Sequence, residues 1–167
     1  ELARQEAECK LRRFSFMVSH ANDAMFLFDD GMIADCNEAT LRMFKSTRER
    51  FIGQLPDTFS PPTQPNGSNS LELALACLNA AIAGEPQRFE WVHTRGDGSP
   101  FDAEVSLSAF EEAGRPLVIG VVRDITERKQ AEAEIRELNA TLEARVVART
   151  QELAQANAEL AATLGNL

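Results

Sequence analysis

The run "VIGVVRDITERKQAEAEIREL", residues 118–138, joins an apolar strand pattern to a charged helical pattern with no glycine or proline between the two halves. The first half is dominated by β-branched residues, which favour strands. The second half consists mostly of Ala, Glu, Lys, Arg and Leu, which are good helix formers. Because glycine and proline are the residues that most often mark loops, the sequence predicts that the last strand of a sheet runs directly into a long helix.

The joint itself, "RDITE" at residues 123–127, contains signals for the start of a helix. Asp124 and Thr126 can each cap a helix, and Asp124 with Glu127 has the spacing of a capping box. We therefore expect side-chain hydrogen bonds to hold this joint, so that a shift of the sheet reaches the helix. The alternative is that Asp124 and Thr126 serve only as caps, and the two interpretations are compatible.

Residues 127–167 lack glycine and proline until Gly165. A helix of this length extends roughly 60 Å at about 1.5 Å per residue, too far to bury an apolar stripe against a small domain, so it needs a partner helix. The four-residue step from Leu142 to Val146 predicts a stutter between two heptad registers. The alternative is a single solvated helix. The predicted seam consists of Ile135, Leu138, Leu142, Val146, Leu153, Leu160 and Leu167.

Three segments follow from these patterns: an amphipathic helix at 1–18, a folded domain at 19–126 and the coiled-coil segment at 127–167. The folded domain opens with "AMFLFDDGMIADCNEA", in which Asp30-Gly31 between two apolar runs predicts a β-hairpin. Two short helical turns and a proline-rich loop, "LPDTFSPPTQPNGSNS" at residues 55–70, come next.

The stretch "SLELALACLNAAIAG", residues 70–84, predicts a helix with Ser70 as N-cap and Gly84 as C-terminal stop. Its spacing predicts an apolar face. That face comprises Leu71, Leu75, Leu78 and Ile82.

Three strand patterns complete the domain: "RFEWVHT", "FDAEVSLSAF" and "PLVIGVVRDI". Apolar and polar residues alternate in the second, which indicates a sheet with one buried face. Strands on both sides of a helical insert predict an α+β domain whose helices cover one face of the sheet, with room for a cavity between the layers.

Composition limits the possible partners. The 167 residues carry a net charge of −9, and an acidic surface repels nucleic acid. No run approaches the roughly 20 apolar residues that span a bilayer. The three cysteines do not form CxxC or Cys/His clusters, which disfavours zinc and disulfides and favours a reducing cytosol. Because the chain begins with Glu1 and ends within a helical pattern, we expect it to be a segment of a longer protein.

Several inward apolar positions are candidates for lining a ligand pocket, although a filled core would contain the same residues. Asn37 is a further candidate that would either orient a ligand or hold the turn between strand and helix. The proline-rich loop lies where it would gate such a pocket. The candidates are Phe28, Cys36, Asn37, Met43, Leu78, Trp91, Val105, Ile119 and Val121.

No catalytic motif is present. The chain has no GxGxxG or Walker loop, no Ser/His/Asp constellation and no metal-ligand spacing, so we expect neither intrinsic catalysis nor a metal site.

The segment from residue 14 to 130 resembles a PAS domain, the small sensory domain common in bacterial signalling proteins. The resemblance rests on "DAMFLFDDGMIADCNEA", "RGDGSPFDAEVSLSAF" and above all "GVVRDITERKQAE". It implies a five-stranded antiparallel sheet with helices over one face and a cavity between them. It also implies homodimerisation through the flanking helices and signal relay through Asp124, Ile125 and Thr126.

A second stretch, "ELNATLEARVVARTQELAQANAEL" at residues 137–160, is similar to the coiled-coil linkers that lead into sensor histidine kinases and sometimes into diguanylate cyclases. We therefore expect a covalently linked effector, with a kinase ahead of a cyclase.

The PAS resemblance also bears on cofactors. Haem-binding relatives place an axial His on or near the long helix, and residues 70–84 contain none; His20 and His93 are expected to be surface or structural residues. The Asn-Cys-Arg-Phe motif of flavin photosensors is absent, as is the placed Cys of the covalent chromophore type. No cofactor is expected, and the identity of a small-molecule ligand stays open.

These observations favour a dimeric cytoplasmic sensory module that relays a small ligand or an upstream signal to a C-terminal effector. The alternatives are a ligand-free dimerisation spacer and the input domain of a diguanylate cyclase.

Overall fold

Five strands pair into one antiparallel sheet in a computed structural model that describes residues 2–165, with side chains for residues 4–164. The strands are β1 (Ala24–Asp29), β2 (Met32–Cys36), β3 (Gln87–Thr94), β4 (Pro100–Glu112) and β5 (Arg115–Asp124). Their order across the sheet is β2-β1-β5-β4-β3. The predicted five-stranded antiparallel sheet is thus confirmed, with β5, which leads to the exit helix, in its centre.

Five helices accompany the sheet within residues 2–165. They are α1 (Leu2–Ser19), α2 (Glu38–Phe44), α3 (Arg48–Phe51), α4 (Ser70–Ile82) and α5 (Thr126–Gly165). The chain divides into two compact units, residues 1–126 and residues 127–167. The second unit contains α5 beyond its first residue, and the predicted long helix is confirmed.

The β1–β2 hairpin turns through Asp30 and Gly31, as the sequence predicts. Both residues have positive φ, 49° and 76°, which is what a two-residue type I′ turn requires. The turn thereby sets the pairing of β1 with β2.

Aromatic rings fill the centre of the core between the sheet and the helices. Neighbouring rings lie with centroids 4.7–6.2 Å apart, mostly edge to face, an arrangement that aromatic quadrupoles favour. The rings belong to Phe26, Phe44, Phe51, Phe59, His93 and Phe101.

Helix α4 differs from its predicted orientation. Its buried face carries Ser70, Ala74, Leu78 and Ala81, whereas Leu75 and Ile82 are 38 % and 45 % exposed. The small side chains allow close packing of the helix on the core. Of the four residues on the predicted apolar face, only Leu78 is buried.

The predicted cap of α4 also differs. The N-cap is Asn69, whose side chain accepts a hydrogen bond from the Glu72 N–H at 3.1 Å. The Ser70 hydroxyl instead donates to the Pro61 carbonyl at 2.5 Å, which ties the start of α4 to the proline-rich loop.

The proline-rich loop covers the edge strand β3. The Gln64 amide accepts from the Val92 N–H at 2.9 Å and donates to the Val92 carbonyl at 3.2 Å. The Thr94 N–H donates to the Phe59 carbonyl at 2.8 Å. These bonds occupy backbone groups that an open sheet edge would leave free for association with other strands.

The β3–β4 turn packs against the C-terminal end of α2. The Gly96 N–H donates to the Phe44 carbonyl at 2.7 Å. A Cβ atom at position 96 would overlap the Lys45 carbonyl oxygen. Glycine is therefore required at position 96, because the backbone of Lys45 leaves no room for a side chain there.

We expect Gly96→Ala to lower the free energy of unfolding by about 2–3 kcal/mol, the upper part of the range for overpacking, because the backbone of Lys45 must move. Gly98→Ala is the control in the same turn. It meets no atom within 4 Å but has a φ of +85°, so only left-handed strain of about 1 kcal/mol applies. Denaturant unfolding of both variants tests this, and equal losses would contradict the close approach.

Candidate ligand cavity and exit junction

A small cavity of about 40 Å³ lies between α4 and the inner face of the sheet. Pockets for drug-sized ligands usually measure about 300–1,000 Å³, so this core is close to filled. The cavity wall consists of Phe26, Phe28, Pro56, Ala74, Leu78, Phe89, Trp91, His93, Val105 and Leu107.

Four of the predicted pocket residues line this cavity: Phe28, Leu78, Trp91 and Val105. Cys36 is buried in the hydrophobic core, and Met43 packs against that core while partly buried. Neither Cys36 nor Met43 lines the cavity.

Two predicted pocket residues, Ile119 and Val121, lie on the opposite face of the sheet. They alternate along β5 with Val118 and Val122, which are buried in the core. Val121 lines a surface cleft with the charged side chains of Arg88 and Arg123, among others. The apolar run of β5 contains hydrophobic residues on both faces, so its pattern does not reveal which side points inward.

Asn37 has its polar atoms fully engaged. Its Oδ1 accepts from the Met25 N–H and from the N–H and hydroxyl of Thr40 at 2.8–3.0 Å. Its Nδ2 donates to the carbonyls of Val18 and Asp23 at 3.0 and 3.1 Å. This geometry favours the second of the two roles considered for Asn37, which is to hold the turn from β2 into α2.

His93 lies among the residues around the cavity, although it is not one of the pocket residues predicted from the sequence. Its Nδ1 lies 3.1 Å from the Phe59 carbonyl oxygen. Its Nε2 is the one buried side-chain nitrogen or oxygen in the described part of the chain without a hydrogen-bond partner. Burial lowers the pKa of His93 to about 4, so the ring is neutral at pH 7. The signal in the sequence is positional, because His93 alternates in register with Phe89 and Trp91.

The three junction residues are bound to β4 and to each other. The Thr126 N–H donates to Asp124 Oδ1 at 2.9 Å, and Thr126 Oγ1 accepts from the Asp102 N–H at 3.1 Å. Ile125 is buried, and its N–H donates to the Asp102 carbonyl at 2.9 Å. Side-chain hydrogen bonds therefore hold the end of β5. The Asp124 carboxylate accepts the backbone N–H of Thr126, the first residue of α5.

Arg95 connects this junction to the rest of the domain. Its Nη2 donates to Asp124 Oδ2 at 2.6 Å, and its Nη1 donates to the Met43 carbonyl at the end of α2. The guanidinium carbon lies 4.1 Å from the centroid of the Phe101 ring, a cation–π contact. We call Arg95 with Met43, Phe101 and Asp124 the Arg95 bridge.

The electrostatics of the bridge favour an ionised carboxylate. Burial by itself would raise the pKa of Asp124, but the hydrogen bonds from Thr126 and Arg95 outweigh it, so that the pKa is lowered. The sequence offers only a weak signal for Arg95, namely an arginine directly before the turn "GDGS".

The two inner cysteines behave as small apolar side chains. Burial raises the pKa of both Cys36 and Cys77, which keeps the thiols protonated. Among the residues that the structure describes, no three His, Cys, Asp or Glu side chains are grouped so as to hold a metal ion. Within the same residues, no helix has the length and apolar character needed to cross a membrane.

The seam residues of α5 are exposed. The seven-residue repeat ends at Leu167, which lies outside the described residues. Exposed fractions range from 55 % to 64 % for Ile135, Leu138, Leu142, Val146, Leu153 and Leu160.

The fold combines three features: an antiparallel five-stranded sheet with helices on one face, a cavity between the layers, and a last strand that leads into a helix. This is the architecture of a sensory domain. The chain belongs to the PAS domain family, whose sequence model matches residues 22–127. The predicted family is thereby confirmed.

The similar proteins include signalling proteins. The chain is 28 % identical over 122 residues to the sensor protein FixL of Bradyrhizobium diazoefficiens; the match covers 72 % of this chain and 24 % of FixL, so the chain spans about a quarter of that relative.

Solved PAS domains share the fold. The PAS domain of an HTR-like protein from Haloarcula marismortui is 21 % identical with a TM-score of 0.61, over 74 % of this chain and 98 % of that one. The PAS domain of a two-component sensor histidine kinase is 20 % identical with a TM-score of 0.57, over 71 % of this chain and 98 % of that one. The chain thus contains a PAS sensory domain related to those of sensor kinases.

We expect stability to fall in mild acid through His93. The unfolded chain takes up the His93 proton near pH 6.5, whereas the fold resists it until about pH 4. The contribution of neutral His93 is therefore present above pH 6.5 and is lost as the pH falls toward 4. Between pH 7 and pH 5 the free energy of unfolding should drop by about 2 kcal/mol from this group.

The matched variant is His93→Phe, which keeps an aromatic ring without a titrating nitrogen. Urea unfolding at pH 7 and pH 5 should show a smaller acid-induced loss for the variant than for the parent. Equal losses in the two proteins would contradict the buried neutral imidazole.

We expect Arg95 and Asp124 to be energetically coupled. Their side chains are only 18 % and 29 % exposed, so water screens the ion pair weakly. A double-mutant cycle with Arg95→Gln and Asp124→Asn should give a coupling of about 1–2 kcal/mol in denaturant unfolding.

The control cycle uses Lys45→Gln and Asp97→Asn. That ion pair is equally short at 2.6 Å but 54 % and 46 % exposed, so its coupling should be smaller. A coupling no larger for Arg95 with Asp124 than for this pair would contradict the proposed importance of the bridge.

Proposed function

We propose that this chain is a dimeric, cytoplasmic sensory input module that relays a signal through the exit junction to a C-terminal effector, a histidine kinase. The observation that carries the proposal is the Arg95 bridge. Through it, the end of α2, the aromatic core and Asp124 at the end of β5 share one side chain. A change in core packing therefore has a direct physical route to the residue at the start of the exit helix.

Homodimerisation is supported by the flanking helices. The seam of α5 leaves six large apolar side chains more than half exposed. Exposed apolar area costs roughly 25 cal/mol per Å², which favours pairing of two copies along the heptad seam. Helix α1 adds Leu11, Phe14, Phe16 and Met17, each at least 62 % exposed.

The kinase effector is supported by one similar structure, the PAS domain of a two-component sensor histidine kinase. FixL is a sensor protein by name. A diguanylate cyclase remains the alternative effector. A cytoplasmic location is supported by the unpaired cysteines, which fit a reducing compartment. We assign no catalytic activity to the chain itself.

The small cavity supports the expectation that neither haem nor flavin binds. Its volume of about 40 Å³ is far below that of a site for a tetrapyrrole or a tricyclic ring. Helix α4 contains no His, and the Nδ1 of His93 is engaged by the Phe59 carbonyl. We therefore propose that the module works without either cofactor.

The nearly filled core supports a second candidate, a constitutive dimerisation spacer without a ligand. The two functions differ in one property. A sensory module changes effector activity when the Arg95 bridge is altered, whereas a spacer keeps it constant as long as the dimer forms.

The experiment is a chimera in which residues 1–167 precede the catalytic core of a histidine kinase. We expect Asp124→Asn to change autophosphorylation by at least about fivefold, the lower range of allosteric coupling. Insertion of four residues after Arg128 should abolish that effect, because four residues rotate the downstream helix by about 40°.

A seven-residue insertion at the same place is the matched control, because it restores the heptad seam and should preserve the effect of Asp124→Asn. Sedimentation equilibrium checks that every variant is dimeric. Autophosphorylation that is indifferent to Asp124→Asn in all dimeric forms would favour the spacer.

A further inference from the structure

A cleft opens at the surface of the domain beside the β3–β4 turn. It measures about 560 Å³, which lies within the usual range of about 300–1,000 Å³ for small-molecule sites. Its wall is formed by α3, by residues 54–59 and by the end of β3 with the following turn. These lining residues differ from those of the small cavity between α4 and the sheet. We call this feature the α3 cleft.

Backbone hydrogen bonds hold the wall of the α3 cleft in place. The Gln54 carbonyl accepts from the Ile33 N–H of β2 at 3.0 Å. The Thr94 N–H donates to the Phe59 carbonyl at 2.8 Å. The segments around the cleft are thus fixed to the sheet without a ligand, which lowers the cost of ordering them when a ligand binds.

The α3 cleft contains polar side chains whose hydrogen-bonding groups are unused. Within the described part of the chain, the Arg50 guanidinium makes no hydrogen bond or ion pair. The side chains of Gln54, Thr58 and Thr94 line the same cleft and also make no hydrogen bond to any described residue. One cation and three neutral hydrogen-bonding groups are therefore free to bind the same ligand.

The charged groups of the α3 cleft favour an anion. Its lining residues include two cations, Arg50 and Arg95, and one carboxylate, Glu49. The Glu49 carboxylate is already engaged, since hydrogen bonds from its own backbone N–H and from the Thr47 side chain lower its pKa. Arg95 is bound to Asp124 at 2.6 Å. Arg50 is therefore the charged group of the cleft that can bind a ligand without losing another partner.

The chemistry of the wall narrows the kind of anion. A guanidinium group presents a planar fork of N–H donors that matches a carboxylate through two parallel hydrogen bonds. The half-buried ring of Phe59 adds apolar surface to the cleft and is stacked on Phe51 with centroids 4.7 Å apart. A carboxylate with an organic part uses both Arg50 and Phe59, whereas an inorganic anion uses only Arg50.

We propose that the α3 cleft binds a small organic carboxylate, which Arg50 holds together with the neutral groups of Gln54 and Thr94. The organic part of the ligand lies against Phe59. Binding at this surface cleft does not depend on the relay proposed above for the exit junction.

The test is an NMR titration of the full 167-residue chain with benzoate at constant ionic strength, because added salt screens an exposed charge. We expect saturable shifts of the Arg50 Nε and the Gln54 side-chain amide, while the indole N–H of Trp91 stays unchanged. Benzamide is the matched control compound, with the same ring and no charge. It should bind at least about tenfold more weakly, as expected for loss of charge-assisted hydrogen bonds.

Two arginine variants separate this site from a general effect of charge. Arg50→Gln should weaken benzoate binding at least about tenfold. Arg42→Gln is the matched control and should leave binding unchanged. Arg42 is an exposed residue of the neighbouring helix α2 that forms no ion pair with any described residue and does not line the cleft. The comparison of benzoate with benzamide on the unaltered chain stands even if a variant fails to fold.

Equal affinity for benzoate and benzamide, or equal weakening by the two variants, would overturn the inference. Shifts confined to Trp91 and His93 would also overturn it, because the ligand would then lie in the small cavity. Nitrate, a planar inorganic anion, would overturn the organic class of the ligand if it bound as tightly as benzoate. The response of the kinase chimera to Asp124→Asn is measured without benzoate, so a failure of the proposed function is distinguishable from a failure of this site.

Discussion

The guanidinium group of Arg95 is the contact on which the arrangement of the exit junction depends. It binds a backbone carbonyl of α2, the face of Phe101 and the carboxylate of Asp124 at the same time. A planar group with several fixed donors can satisfy such divergent partners, whereas a lysine cannot. The turn that carries Arg95 reaches α2 only because residue 96 has no side chain. The packing of the β3–β4 turn thus places Arg95 beside Asp124, where β5 ends.

The aromatic rings of the core have little room to move. Close-packed rings leave little free volume, so a change at one ring is transmitted to its neighbours. His93 sits among these rings as a neutral group with one nitrogen unpartnered, which makes it the least satisfied polar group of the core. Phe101 lies between the His93 ring and the Arg95 guanidinium and contacts both.

The proline-rich loop is hydrogen-bonded to the edge strand β3 and does not stand free of the sheet. It hydrogen-bonds to β3 through Gln64, Phe59 and Ser60, and Pro56 contributes to the cavity wall. Opening the loop would break these bonds and expose the edge of the sheet.

The sequence by itself determined the order of the elements, the β1–β2 hairpin and the long exit helix, because these depend on periodicity and on turn chemistry between near neighbours. It also indicated the local hydrogen bond between Asp124 and Thr126. Of the site, it predicted four cavity residues, which are Phe28, Leu78, Trp91 and Val105. Tertiary structure alone decided the inward face of β5, the buried face of α4 and the pairing of Arg95 with Asp124, which are 29 residues apart. An apolar run with hydrophobic residues on both faces has no local preference, and a contact between distant residues exists only once the sheet and helices have packed together.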